Sequence, residues 1–457
     1  MSKPSAPNET CYHSAVRVSG RLATRPHLPL RPRHGRTGRP PGARRGFPRT
    51  PEIPMPADSA PRSAVPGLPA LVFTALAGTM AMMSFVAVVG PVVRVLGLAE
   101  WHAGLSVTAA GVLWMLAARR WGALSDRIGR KRVLLIALAA YALVYVAMAV
   151  FVDLALRHPP AVLVSVAVLV GTRALVGLFY AAVPPTASAL VADAVPAGRR
   201  AGVMARLGAA NALGMVLGPA AAGWIAARGI AVSLYLAALL PLVSLFALWW
   251  RLPDAPPPQR PSSGPRPALA MVDRRLRLPV YAVFAAMVSV TIAQVVVGFF
   301  VIDRFGLSPA GGARAAGLSL TAVGVGLIVS QALVMRLKSV PPARWIAIGA
   351  LVSAIGFACS ALVSVQWQLL LTYGTAAFGM GFVFPSFQAL TADSVEAHEQ
   401  GAAAGTVASV QGLGMVVGPM AGTLLYRWSP NAPYLLVGAV LLVLAAAAAL
   451  HRAEAAP

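Results

Sequence analysis

Charge is what this chain has least of. Only 11% of its 457 residues are Asp, Glu, Lys or Arg, where soluble domains carry about 25%. With 58% hydrophobic residues and a mean hydropathy of +0.73, a water-surrounded globule is excluded. Acidic residues are scarcer still, 14 against 38 basic ones. Cysteine occurs twice, at Cys11 and Cys359, so no disulfide framework holds the fold. There is no Cys/His cluster, phosphate-binding loop or G-x-G-x-x-G run, so no metal, nucleotide or other cofactor is expected. No nucleophile–base set points to an enzyme. Lysine is limited to Lys3, Lys131 and Lys338, and GC-rich coding accounts for the arginine that replaces it.

What is present is a series of long apolar runs. A bilayer span needs about 20 apolar residues, and twelve segments qualify, near 68–94, 103–121, 133–152, 161–190, 202–225, 230–250, 279–302, 315–335, 345–363, 368–391, 402–426 and 432–450. Two stretches 200 residues apart read almost alike. Ala189-Leu190-Val191-Ala192-Asp193 leads to Gly214-Met215-Val216-Leu217-Gly218-Pro219, and Ala389-Leu390-Thr391-Ala392-Asp393 leads to Gly414-Met415-Val416-Val417-Gly418-Pro419. Pro185 and Pro385 share this register, as do Asn211 and Gln411. The repeat predicts an all-α integral membrane protein of twelve transmembrane helices in two pseudo-symmetric six-helix bundles. Parallel repeats of this kind place a binding site between halves that rock against each other.

The net charge of +24 would suit nucleic acid, but its placement argues for topology and no nucleic-acid partner is expected. Twelve basic residues precede Pro66, and nineteen of the other 26 fall in loops on one side of the spans. Six lie on the opposite side, and Arg173 alone sits well inside a segment. That asymmetry follows the positive-inside rule with both termini cytoplasmic, in a bacterial inner membrane.

Residues 1–66 form a Pro-, Arg- and Gly-rich tail that cannot bury enough surface to fold. The tail has no apolar run of signal-peptide length, and Met55 is an alternative start. The expected divisions are a first bundle at 67–250, a cytoplasmic linker at 251–277, a second bundle at 278–450 and a tail at 451–457. Proline and arginine from Pro253 to Pro267 suit a semi-stiff spacer.

Between the second and third segments stands Gly122-Ala123-Leu124-Ser125-Asp126-Arg127-Ile128-Gly129-Arg130-Lys131-Arg132. A six-residue turn explains its glycines and topology explains its cations, but neither explains the aspartate. The run closely resembles the signature loop of the major facilitator superfamily, G-x-L-x-D-R-x-G-R-[KR], and the overall likeness covers about 67–450. By that resemblance Gly122, Asp126, Arg127, Gly129, Arg130 and Lys131 form a conformational latch. Asp126 would hold the N-terminus of the helix starting near Gly401, with Arg127 and Arg130 orienting it. The equivalent loop from Arg336 to Arg344 lacks both glycines and the aspartate.

In the fifth segment Gly214, Gly218, Pro219 and Gly223 resemble the antiporter motif of the drug:proton branch, with Ala222 where glycine is usual. Small residues four apart also let helices pack closely in lipid, and the second half carries Gly414, Gly418, Pro419 and Gly422. Arg173, with Gly177 and Tyr180, resembles the family's fourth-helix motif, whose arginine is linked to proton coupling. An arginine does not titrate, and no segment has a central carboxylate. Either Glu100 or Asp303, near the far edges, takes the proton, or Arg173 attracts an anionic substrate, or Arg173 is structural. Gln294 and Gln388 are cavity candidates, because the family's first, fourth, seventh and tenth helices line the pathway. Met82, Phe85, Tyr180, Phe299, Tyr373 and Phe384 on those helices would form a wall for bulky, partly apolar cargo.

The resemblance therefore implies a monomeric carrier, surrounded by lipid, working by alternating access on a small organic compound. Proton-coupled efflux is the leading expectation. The alternatives are a facilitator or importer of an organic anion, and a non-transporting membrane sensor.

Overall fold

In lipid every backbone N–H and C=O must find its partner within the segment, so long apolar runs become helices. The computed structural model describes residues 67–253, 273–337, 340–396 and 399–455. The expected 1–66 tail, the Met55 start, most of the linker and the end of the 451–457 tail lie outside the described residues. The first half comprises α1 (Leu68–Val95), α2 (Glu100–Ile128), α3 (Arg130–Arg157), α4 (Val162–Tyr180), α5 (Val183–Ala194), α6 (Ala197–Ile225) and α7 (Ile230–Arg251). The second comprises α8 (Arg277–Phe305), α9 (Pro309–Arg336), α10 (Pro342–Ser360), α11 (Gln366–Asp393), α12 (Gln400–Tyr426) and α13 (Ala432–Ala455). Among the described residues twelve helices are long and apolar enough to span a membrane, α4 and α5 together making one.

Two local features differ from the expectations. The fourth segment breaks at Ala181–Ala182, just before the Pro184-Pro185 pair. Adjacent prolines remove two successive hydrogen bonds and crowd the preceding turn, whereas α11 runs unbroken through its single Pro385. The stretch expected to be a six-residue turn is helical: α2 continues to Ile128 and α3 starts at Arg130. Gly129 alone reverses the chain, at φ 99°, a conformation costly to any residue with a Cβ. Asp126 therefore stands on the last turn of α2.

The two halves repeat one packing scheme. α1 lies against α6 and α7 as α8 lies against α12 and α13, and α2 pairs with α4 as α9 does with α11. The repeated glycines explain why. A Cβ on Gly214 would lie 2.6 Å from the Leu76 carbonyl oxygen, and one on Gly218 would collide with that of Met80. In the second half a Cβ on Gly414 would lie 2.8 Å from Met287 Cβ, and one on Gly418 would collide with Thr291. Both fifth-position helices thus press their backbones onto the first helix of their own half.

The halves meet through α1 with α8, α2 with α12 and α6 with α9. Gly90 and Gly298 face each other, so that a Cβ on Gly90 would lie 2.8 Å from the Gly298 carbonyl carbon. Gly223 packs on Gly317, with 2.7 Å from its would-be Cβ to the Gly317 Cα. Gly104 lies against Thr423 and the Pro419 carbonyl. Gly218→Val should therefore overpack α6 against α1 and cost about 1–3 kcal/mol. Thermal unfolding of the purified protein in detergent should show a lower midpoint; an unchanged midpoint would contradict the close approach.

Candidate functional site

The central helices α1 and α8 are ringed by other helices, so open surface on them faces space between the halves. On α1 that surface is a stripe of half-buried Phe73, Leu76, Met80 and Met83, spaced three and four apart. On α8 the matching face carries half-buried Tyr281, Phe284 and Gln294. Beyond these stripes everything closes: Ser84–Val93 are all buried, as are Val295–Val301. The result is a cleft lined by methionine, aromatic rings and an amide, shut at the end where Arg94 stands.

A charge cluster caps the sealed end. Arg94, in the last turn of α1, lies 2.7 Å from Glu100 Oε1 and donates to Asp303 Oδ2 at 2.6 Å. Tyr426 donates its hydroxyl to the same Oδ2 at 2.7 Å, and Arg94 rides over the Phe299 ring at 5.4 Å. Four helices from both halves, α1, α2, α8 and α12, meet in this cluster.

At the opposite end the described ion pairs of Asp126 and Glu399 lie within their own halves. α2 and α12 are antiparallel: Gly104 meets Thr423, Thr108 donates to the Val416 carbonyl at 2.8 Å, and a Cβ on Gly412 would lie 3.3 Å from Met115 Sδ. Carrying that register onward would set Asp126 opposite the start of α12. Yet the Asp126 side chain is 60% exposed and its described ion pair is with Arg130, at 2.5 Å. Arg130 also donates to Asp193 at 3.1 Å and Ser125 at 2.5 Å, so the charges of this corner tie α2, α3 and α5 of one half together. Arg127 is exposed, Lys131 half-buried, and Gly122 has open space around its would-be Cβ. The N-cap of α12, Glu399, is instead held from its own half by Arg275, at 2.8 and 3.0 Å. The same guanidinium, by its hydrogen bonds, lowers the Asp273 pKa.

Arg173 is 1% exposed, enclosed among α1, α3 and α4 with its guanidinium 4.4 Å above the Phe85 ring. Its Nε and Nη1 are buried without a hydrogen-bond partner. Tyr141 and Tyr145 stand near it but donate to carbonyl oxygens of Gly78 and Ala81, at 3.1 and 2.7 Å. A cation left in this way is costly inside a membrane, and the aromatic face offsets part of that cost.

Tyr180 is buried and shares a 2.6 Å hydrogen bond with Thr79, which donates to Asn211 at 2.7 Å. This node ties α1, α4 and α6 and removes Tyr180 from any wall. Met82, Phe85, Phe299 and Tyr373 are buried as well, leaving half-buried Phe384 as the one residue of the expected wall with open surface. Gln294 lies on the α8 stripe, while Gln388 is exposed on α11. The α1 stripe itself, Met83 rather than Met82, went unread because one residue turns a helix face by about 100°.

A one-ended cleft between two similar half-bundles defines a membrane carrier. The chain belongs to the Major Facilitator Superfamily, whose model matches residues 70–341 and 312–457, and it is a transporter rather than an enzyme. It is 29% identical over 354 residues to the class G tetracycline resistance protein of Vibrio anguillarum, covering 74% of this chain and 85% of that one. It is 25% identical over 357 residues to multidrug resistance protein 2 of Bacillus subtilis (strain 168), covering 74% and 84%. Among solved structures it resembles a bacterial homolog of the human lysosomal transporter Spinster in an inward-facing, occupied conformation. That likeness has a TM-score of 0.67 and 14% identity, and covers 84% of this chain and 95% of that one.

Cysteine labelling checks the cleft directly. In a background with Cys11→Ser and Cys359→Ser, Met80→Cys should react with a membrane-impermeant maleimide supplied from the Gly122 side. Val89→Cys, inside the sealed stretch, should be protected, and equal labelling of the two would refute the one-ended cleft.

Proposed function

We propose that this protein exports a small, bulky and partly apolar organic compound from a bacterial cytoplasm by alternating access, with proton entry driving the cycle. The observation that carries this reading is the cleft sealed above Met83 and Gln294 and lined by Phe73, Leu76, Met80, Tyr281 and Phe284. Thioether and aromatic side chains adapt to varied apolar shapes. The tetracycline and multidrug resistance relatives support efflux, and Gly214, Gly218, Pro219 and Gly223 support antiport by resemblance.

The charge asymmetry supports a cytoplasmic position for the Gly122–Arg132 end. On that assignment the conformer is inward-facing, and the pairing of Asp126 with Arg130 of its own half suits it: the latch would form only when the cytoplasmic end closes. Among the described residues no carboxylate lies in the middle of a span. Glu100 and Asp303 stay at the outer edge, both held by Arg94. They suit a gate better than a proton carrier.

Expression in a pump-deficient bacterium should raise the inhibitory concentrations of several bulky apolar antibiotics several-fold, and their efflux from proteoliposomes should collapse with the proton gradient. Unchanged sensitivity across the panel would reject export; flux indifferent to the gradient would reject antiport. The Arg173 guanidinium, whose Nε and Nη1 have no hydrogen-bond partner, favours a second reading, transport of an organic anion. Arg173→Ala and Arg173→Lys separate the two: an anion carrier loses substrate binding in equilibrium titrations, whereas an exporter of apolar cargo binds normally and loses only coupling.

A further inference from the structure

The sealed end holds one cation between two anions, and the anions are not equivalent. Glu100 belongs to the same half as Arg94, six residues along the chain, and is in reach whether or not the halves meet. Asp303 belongs to the other half and is in reach only when that end is shut. Their helix positions differ as well. Glu100 opens α2, where the helix N-terminus favours a carboxylate. Asp303 lies in the last turn of α8, where the helix C-terminus disfavours one. Glu100 is thus stable without Arg94, whereas Asp303 depends on Arg94 and Tyr426, both directed at its Oδ2. Among the described residues, His102 stands near Glu100 rather than Asp303, and the other neighbours are engaged elsewhere. Arg304 is turned away to the Val363 carbonyl at 2.7 Å, and the Tyr434 hydroxyl is engaged with Tyr373 at 2.8 Å.

We propose that Arg94 is a shared switch for which a same-half carboxylate and a cross-half carboxylate compete, so that Glu100 and Asp303 act on the gate with opposite sign. With the end open, Arg94 rests on Glu100. Closure brings Asp303 into reach, sets the guanidinium over Phe299 and places the two carboxylates beside one another. Glu100 holds Arg94 back and repels Asp303, which keeps the seal reversible; Asp303 pulls the seal shut. A plain salt-bridge lock would instead weaken alike on loss of either carboxylate. The inference rests on alternating access but not on the cargo or on proton coupling.

The test is a distance measurement on the full chain, in the Cys11→Ser, Cys359→Ser background, with spin labels on His158→Cys and Trp428→Cys. Both positions are exposed at the sealed end, one in each half. Asp303→Asn should shift the closed-to-open ratio about tenfold toward the longer distance, the equivalent of one charge-assisted hydrogen bond. Tyr426→Phe should open the end in part, and adding Glu100→Gln to it should shift the population back toward the short distance. In the Asp303→Asn background Glu100→Gln should change nothing, because Arg94 then has no carboxylate across the gap. Opening by Glu100→Gln in the Tyr426→Phe background would overturn the proposal. So would an effect of Glu100→Gln without Asp303, or no change in any variant. Because the readout is conformation, these results stand apart from any failure to find the exported compound.

Discussion

The contact on which the rest depends is the backbone approach of α1 to α8 at Gly90 and Gly298. Lipid supplies no hydrophobic force to bring two apolar helices together, so dispersion contacts must do it, and these need near contact. Two hydrogens in place of side chains allow it. Once the helices cross there, their last turns lie side by side and Arg94 can reach Asp303. Toward the other end the half-buried Met80 and Gln294 faces open onto the cleft. The same glycine pair thus positions both the seal and the space below it.

Duplication explains how so few residues specify twelve helices. Gly214 and Gly218 on one side, Gly414 and Gly418 on the other, repeat one instruction: press the fifth-position helix onto the first helix of its half. Where the copies diverge, their roles diverge. Gly223 packs on Gly317, whereas its counterpart Thr423 fills the space beside Gly104. Arg94 and Asp303 occupy nearly equivalent places at the ends of α1 and α8, so opposite charges close a contact that like charges would hold apart. The Asp126 run has no counterpart in the sequence from Arg336 to Arg344, so the two halves are unlike at that end.

Much of the helical framework was legible because lipid imposes simple rules of span length, repeat and loop charge. Helix faces were harder to read. Phe85 and Tyr180 looked like wall residues and proved to be core, one beneath Arg173 and the other bonded to Thr79. In a helix apolar on every side, hydrophobicity does not reveal which face meets water, so Met82 and Met83 are indistinguishable until tertiary packing buries one of them. Helix replaces the expected six-residue turn for a related reason: polarity marks where a helix leaves the membrane, not where it ends.

Sequence alone determined that the chain is a doubled set of membrane helices, which ends carry the cations, and that one corner carries a run resembling the family's signature loop. These are properties of local composition and spacing. Tertiary structure decided which residues line the cleft, that Asp126 pairs within its own half here, and that Glu100 and Asp303 share one arginine. The cleft and the shared arginine depend on the crossing of helices about 200 residues apart, and a crossing is set by the summed contacts of both partners rather than by either segment.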